Sequence, residues 1–264
     1  MALLNDITFG QYFPSDSVLH RLDPRSKLLT CLVVTTCLMM SRYLYWIGIQ
    51  VFLCLVAMGV SKIPFKFFAK NLKLFLWLFL ITFSIHFMNI HLLGTAPFIR
   101  IDLTEQGFFN GIVYTVRLVL LITLASLLTM TTTPMELTES LEKALSPLKR
   151  FKIPVHEFAF MATLALRFIP ILLREAQIIK NAQISRGLSL EGSMLQRIRN
   201  MIPMIIPLFV SAIRRADDLA VAMEARHYSG GRGRTSFHKL ELKQADWLLM
   251  LFASGFLLTM LIVR

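Results

Sequence analysis

From Gly107 to Met130 the chain carries one charged side chain, Arg117, and from Trp247 to Val263 it carries none. Stretches of this kind restrict the fold severely. A helix of about 20 mostly apolar residues crosses the hydrocarbon core of a bilayer, and there the backbone must satisfy its own hydrogen bonds. Tyr43–Val60 and Leu74–Leu93 are two further runs of the same character, and Leu28–Ser41 is a shorter one closed by Arg42. The spacing predicts a helical hairpin around Arg42, whose long side chain snorkels from the turn. Composition agrees, with 55% hydrophobic and 17% charged residues, against about 25% charged in a soluble domain. The expected fold is all-α and polytopic, with about five transmembrane helices.

The formal net charge of +12 then reads as topology. Cytoplasmic loops of membrane proteins collect Lys and Arg. Lys62, Lys66, Lys70 and Lys73 place the connection between the second and third spans inside. The connection holding Arg100, Asp102 and Glu105 has no basic excess and falls outside. Residues 131–244 hold most of the remaining basic residues, so the N-terminus is expected in the cytoplasm and the C-terminus outside. A nucleic-acid surface would interleave stacking aromatics with its charge, and only Tyr228 and Phe237 lie near Arg232 and Arg234; no nucleic-acid partner is expected. Cys31, Cys37 and Cys54 all sit in apolar runs and read as small core hydrophobes, without a disulfide or metal framework. Asp6 and Asp16 precede the first apolar run, which argues against a cleaved signal peptide.

The organisation is therefore a four-helix membrane region at residues 1–130, a cytoplasmic region at 131–244 and a last span at 245–264. The middle region has no clean spanning run, yet it is no polar loop. Thr133-Pro134, followed by Glu136, Glu139 and Glu142, has the features of a helix start: a capping hydroxyl, proline in the first turn and acids at the positive end of the dipole. A second helix from near Pro154 brings Phe158, Met161, Ala165, Phe168, Leu172 and Ile179 to one face, and stops at Gly187 and Gly192. A third, from about Pro203 to Tyr228, does the same with Ile206, Phe209, Ile213, Ala220 and Met223. Such faces suit the membrane surface, a partner protein or simple packing.

The second helix ends "NAQISRGLSLEG" and the third "AVAMEARHYSGGRGRT", with Arg186 and Arg226 40 positions apart. Arginine near a helix C-terminus and glycine after it are ordinary stop signals, but two matched endings in one region point to paired docking. At these residues the chain resembles the transmembrane T component of energy-coupling factor transporters, whose coupling helices end in Ala-Arg-Gly signatures. Ser185-Arg186-Gly187 and Ala225-Arg226-His227 each depart from that triplet by one residue. "LHRLDPRSKL" at 19–28 and "LALRFIPIL" at 164–172 resemble further family signatures. The resemblance implies a coupling scaffold in a prokaryotic cell membrane, importing a vitamin or metal ion. It implies docking of Ser185, Arg186, Gly187, Ala225, Arg226 and His227 on two ABC-type ATPase subunits that use ATP and Mg, and a membrane-embedded substrate-binding subunit as third partner. Met161, Phe168, Met204, Phe209 and Met223 are weaker candidates for contact with that subunit. His227 stands where glycine is usual, and histidine tolerates positive φ less well.

Catalytic motifs are missing. There is no P-loop, and "GGRGRT" lacks its lysine; neither H-E-x-x-H nor G-x-S-x-G occurs. No cofactor bound by this chain is expected. His86 and His91 are spaced poorly for a metal pair on one helix face. Arg117, near the outer end of its span, is expected to snorkel. The alternatives are a stand-alone secondary transporter or channel, which would lack the usual mid-span carboxylates of a proton relay, and an anchored protein recruiting anionic lipid or RNA through its basic segment.

Overall fold

The computed structural model describes residues 12–41, 43–87, 90–92, 99–101, 105–151, 153–188, 192–228, 230 and 242–262. Asp6, Arg42, Asp102, Arg232, Arg234 and Phe237, used above, lie outside them. The elements in order are α1 (Val18–Arg21), α2 (Pro24–Met40), α3 (Leu44–Ser61), α4 (Phe65–Leu74), α5 (Leu76–Phe87), β1 (Ile90–Leu92), β2 (Ile99–Ile101), α6 (Glu105–Thr131), α7 (Pro134–Ala144), a 3-10 turn (Ser146–Phe151), α8 (Val155–Ser185), α9 (Met194–Ala225) and α10 (Gln244–Ile262). Two compact units result, residues 1–140 with 239–264, and residues 141–238. The all-α expectation holds apart from one short hairpin, in which β1 and β2 pair antiparallel with Ile90 opposite Ile101.

Four helices are long and apolar enough to cross a membrane, and a bent pair makes a possible fifth. The chain is a multi-pass membrane protein, but its spans depart from the expected runs in four places. The helix α2, which holds most of the run Leu28–Ser41, has 17 residues and is not among the spanning helices. Leu74–Leu93 is not one straight helix: α4 and α5 meet at 59° around Phe75, whose φ of −99° and ψ of 7° interrupt the ladder. Val155–Ser185 meets the length and hydropathy of a span, although no spanning run was expected there; its first half dilutes Glu157 and Arg167 among large apolar residues. And α9 begins at Met194 rather than near Pro203. Ser193 accepts from Gln196 N and the Gln196 side chain accepts from Ser193 N, a capping box, so Pro203 and Pro207 fall inside the helix.

In the first unit α2 packs against α3, α6 and α10, and α5 lies along α6. Leu38, Ile47, Cys54 and Leu120 form one core cluster; Cys37, Trp46 and Met260 form a second, beside Phe256. Ile63, Phe68 and Met130 close a third with Phe13. Two of the three cysteines are thus core hydrophobes, as expected. Gly111 lets α5 approach α6, since a Cβ there would stand 3.1 Å from Phe83 Cδ2. Outward-facing Leu44, Phe52, Leu80, Phe109, Leu248 and Leu251 are exposed. In water such a surface would far exceed the apolar patches of soluble monomers; against lipid it is the ordinary state.

Helix ends in this unit are closed by side chains from distant elements. Asp246, fully buried at the start of α10, accepts from Asp23 N at 2.8 Å and Ser26 Oγ at 2.7 Å through Oδ1, and from Lys243 N at 2.9 Å through Oδ2. It thereby ties the N-termini of α2 and α10 together. Asp23 itself caps α2, accepting from Arg25 N at 2.9 Å. Lys27 donates to Thr131 O at 3.0 Å and His20 O at 3.2 Å, closing the end of α6 onto α1. The segment "LHRLDPRSKL" is therefore a structural knot. Arg117 does not snorkel: it donates to Ser41 O at the end of α2 and lies 5.3 Å from the Tyr114 ring centroid. The reason is that α2 ends beside it with a carbonyl in need of a donor. At α7 the expected cap is present, with Glu136 N donating to Thr133 Oγ1 at 3.3 Å and Thr133 N to Glu136 Oε2 at 3.0 Å.

Removing the Asp246 carboxylate leaves Asp23 N and Lys243 N without their acceptor, whereas the Ser26 hydroxyl keeps Asp23 O at 2.7 Å. Each such group costs about 1–3 kcal/mol, so Asp246→Ala should lower the melting temperature of the detergent-purified chain clearly more than Ser26→Ala. Equal melting temperatures for the two variants would contradict the knot.

Candidate functional site

The second unit is built on α8 and α9, and both expected docking triplets stand at the ends of these helices. Their backbones close alike. At the end of α8, Gly187 N donates to Ile184 O at 2.9 Å and Leu188 N to Gln183 O at 3.0 Å; at the end of α9, His227 N donates to Glu224 O at 2.9 Å and Tyr228 N to Met223 O at 3.0 Å. Every partner is shifted by the same 40 positions. This is the Schellman closure, which needs a left-handed residue after the cap. Gly187 supplies it at φ +88° and His227 at φ +55°. The histidine therefore leaves the turn unchanged, and the strain of its left-handed backbone is what substitutes for glycine's freedom.

Arg186 and Arg226 occupy the cap positions themselves, at φ −86° and −91°. Each stands where the helix dipole is negative, and each side chain is exposed, as are Ser185, Gly187, Ala225 and His227. Among the described residues neither guanidinium has a hydrogen-bond or ion-pair partner. The two forks of donors are free to meet carboxylates or carbonyls from outside.

Three side-chain links, none visible as a motif, set where these ends lie. Glu175 of α8 accepts from Ser211 Oγ of α9 and, through Oε2, from Arg215 Nε at 2.9 Å and Nη2 at 2.7 Å. Phe160, early in α8, stacks on Tyr228 just past the end of α9, with ring centroids 5.2 Å apart. His156 Nδ1 lies 2.7 Å from Glu142 Oε1, fixing the start of α8 to α7. Moving back along α8 from Glu175 to Phe160 corresponds to moving forward along α9 from Arg215 to Tyr228, so the helices run antiparallel. Each arginine lies 11 residues beyond the Glu175–Arg215 pair, in opposite directions. At 1.5 Å per residue the two ends are held about 33 Å apart along the helices.

The five weaker candidates do not share one surface. Met161 and Phe209 are exposed, whereas Phe168, Met204 and Met223 are half-buried. Met204, Leu208, Ser211, Ala212, Leu219 and Met223 follow the stripe that carries the bonds to Glu175, the face turned to α8. The free apolar face of α9 instead holds Met194, Leu195, Ile198, Ile202, Ile205 and Phe209, all exposed. The first four of these precede Pro203 and so lie outside the helix expected from the sequence. The one sequence signal for Glu175 and Arg215 was their separation, the same 40 positions as the arginines.

Comparison with known proteins agrees with this architecture. The chain matches the CbiQ family, described as "Cobalt transport protein", over residues 15–237. Among its relatives is the energy-coupling factor transporter transmembrane protein EcfT of Clostridium kluyveri, 43% identical over 258 residues that cover 95% of this chain and 94% of that one. The protein of the same name from Ruminiclostridium cellulolyticum is 44% identical over 248 residues, covering 92% of both chains. That of Bacillus subtilis is 39% identical over 242 residues, 90% of this chain and 91% of the relative. What the fold and the paired ends define is a helical membrane component of a transporter. The chain belongs to the CbiQ/EcfT family of transmembrane components.

Glycine at 227 should relieve about 1 kcal/mol of left-handed strain, while alanine at 187 should introduce a similar amount. Amide hydrogen exchange across residues 223–228 should therefore slow in His227→Gly, and exchange across 183–188 should accelerate in Gly187→Ala. Unchanged exchange in both would contradict the closures described.

Proposed function

We propose that this chain is the non-catalytic T component of an energy-coupling factor transporter for a vitamin or metal ion. Ser185-Arg186-Gly187 docks on one ABC-type ATPase subunit and Ala225-Arg226-His227 on the other. The observation that carries this reading is the pair of identical Schellman ends, each offering an unpartnered arginine, at opposite extremities of one antiparallel helix pair. Two equivalent ATPase subunits call for two equivalent contacts with a fixed separation. A helix seated by its rigid end transmits displacement, and a slack loop does not.

In this reading ATP and Mg are used by the ATPase subunits, and this chain binds neither. A substrate-binding membrane subunit is the third partner, and selectivity for the substrate belongs to it. The weaker candidates Met161 and Phe209, with the free apolar face of α9, are the surfaces proposed to receive it. The basic residues of α4 and of the second unit favour a cytoplasmic N-terminus and the C-terminus outside, with α2 crossing the membrane and α8, despite its span-like hydropathy, kept on the cytoplasmic side. A self-contained channel or secondary transporter gives no reason for two matched ends, and the relatives named above are transporter components.

An interface arginine in a well-packed groove is commonly worth at least about 2 kcal/mol, a loss of roughly 30-fold in affinity. Pull-down of the chain from its native membrane in mild detergent should recover two P-loop ATPase subunits. Arg186→Ala and Arg226→Ala should each weaken recovery, and the double variant should abolish it. Recovery of no ATPase with the unaltered chain would overturn the proposal.

A further inference from the structure

We propose that Glu175, Ser211 and Arg215 form a pivot that fixes the separation and direction of the two arginine ends, and that this cluster positions the docking contacts without belonging to either. The proposal rests on the docking reading above.

Glu175 and Arg215 occupy the same place in their helices, each 11 residues before the capping arginine. Where matched positions of two antiparallel helices meet, the pair is related by a local two-fold axis, and that axis passes beside them. Two copies of an identical helix would bring like against like at this point, carboxylate to carboxylate or guanidinium to guanidinium, and would repel. Here the preceding position is the same in both helices, Arg174 and Arg214, while the position at the axis carries opposite charges, Glu175 and Arg215. Ser211 stands at the position of Ile171 in α8 and is a second donor to the one carboxylate.

Both oxygens of Glu175 are engaged. Ser211 takes Oε1, and the Nε and Nη2 atoms of Arg215 converge on Oε2. A planar fork on a carboxylate fixes orientation as well as distance. The Glu175 side chain is 21% exposed and that of Arg215 44%, so the pair is only partly screened by solvent. Among the described residues it is the one ion pair joining α8 to α9. The apolar contacts that flank the pair are non-directional, and the Phe160–Tyr228 stack lies toward one end of the crossing. The cluster at the axis opposes sliding or scissoring of the helices at the point where a small rotation displaces both ends equally. Loss of the pair should therefore leave each arginine able to dock, while a push on one end would no longer arrive at the other.

The test uses the intact complex in proteoliposomes, with Glu175→Arg, Arg215→Glu and the double charge exchange. Each single variant should still co-purify with the ATPase subunits and hydrolyse ATP, yet substrate uptake per ATP should fall at least about five-fold, and the exchange should recover most of it. Uptake per ATP unchanged in both single variants, or an assembled double exchange no better than either single variant, would overturn the pivot. The second measurement is the distance between spin labels at Asn181→Cys and Val221→Cys, on a background with Cys31, Cys37 and Cys54 replaced by Ala. The full-length chain should give one narrow distribution that broadens in Glu175→Gln; a distribution that stays narrow would overturn the pivot. If the unaltered chain recovers no ATPase, the docking reading has failed, and the label distances still decide the pivot.

Discussion

Inside a bilayer a backbone group left over at a helix end has no water to turn to, and the architecture of this chain is organised by how such ends are closed. Within the first unit they are closed by side chains from far away in sequence. Asp246 receives Asp23 N and Ser26 across more than two hundred residues, Lys27 donates to the last carbonyl of α6, Thr131 O, and Arg117 donates to the cap carbonyl of α2, Ser41 O. Each closure fixes two helices relative to one another. The membrane helices are therefore locked chiefly where they begin and end, and their outer faces are left to lipid.

The second unit closes its ends differently, and the difference is informative. The Schellman turns after α8 and α9 satisfy the carbonyls with local backbone alone. Among the described residues no distant side chain is consumed, and the arginine at each cap stays available to something outside the chain. Keeping that geometry with a histidine at φ +55° means accepting strain at the second end. An arrangement retained in spite of strain, at the spot where a contact is needed, is consistent with a functional constraint on the turn. Antiparallel packing then turns two local features into one device with two poles, and the Glu175–Arg215 pair sits midway between them.

Much of this was legible in the sequence, for identifiable reasons. Apolar runs and helical spacing are one-dimensional signals, and they located most helices. Thr133-Pro134-x-Glu136 is a local cap and was read as such. The matched arginines could be found because a repeated ending survives translation along the chain. Other features were hidden because their cause is not local. The bend at Phe75 depends on how α4 and α5 pack, and nothing at that residue announces it. Pro203 and Pro207 resemble a helix start, but the capping box at Ser193 and Gln196 begins α9 earlier and leaves both prolines inside it. Val155–Ser185 reads as amphipathic because its charges are spread over one face, although its first half is span-like. No reading of residues in order pairs Asp246 with Asp23, or Arg117 with Ser41.

The central claim is that one antiparallel helix pair engages two ATPase subunits, one at each arginine end. Site-specific cross-linking in the assembled transporter tests it most directly, with a photoreactive side chain placed at Ser185, at Ala225, or at both. The account predicts that each single variant joins this chain to one ATPase subunit, and that the double variant yields a product containing both. Cross-links from both positions to a single subunit, or to none while the complex remains assembled, would contradict it.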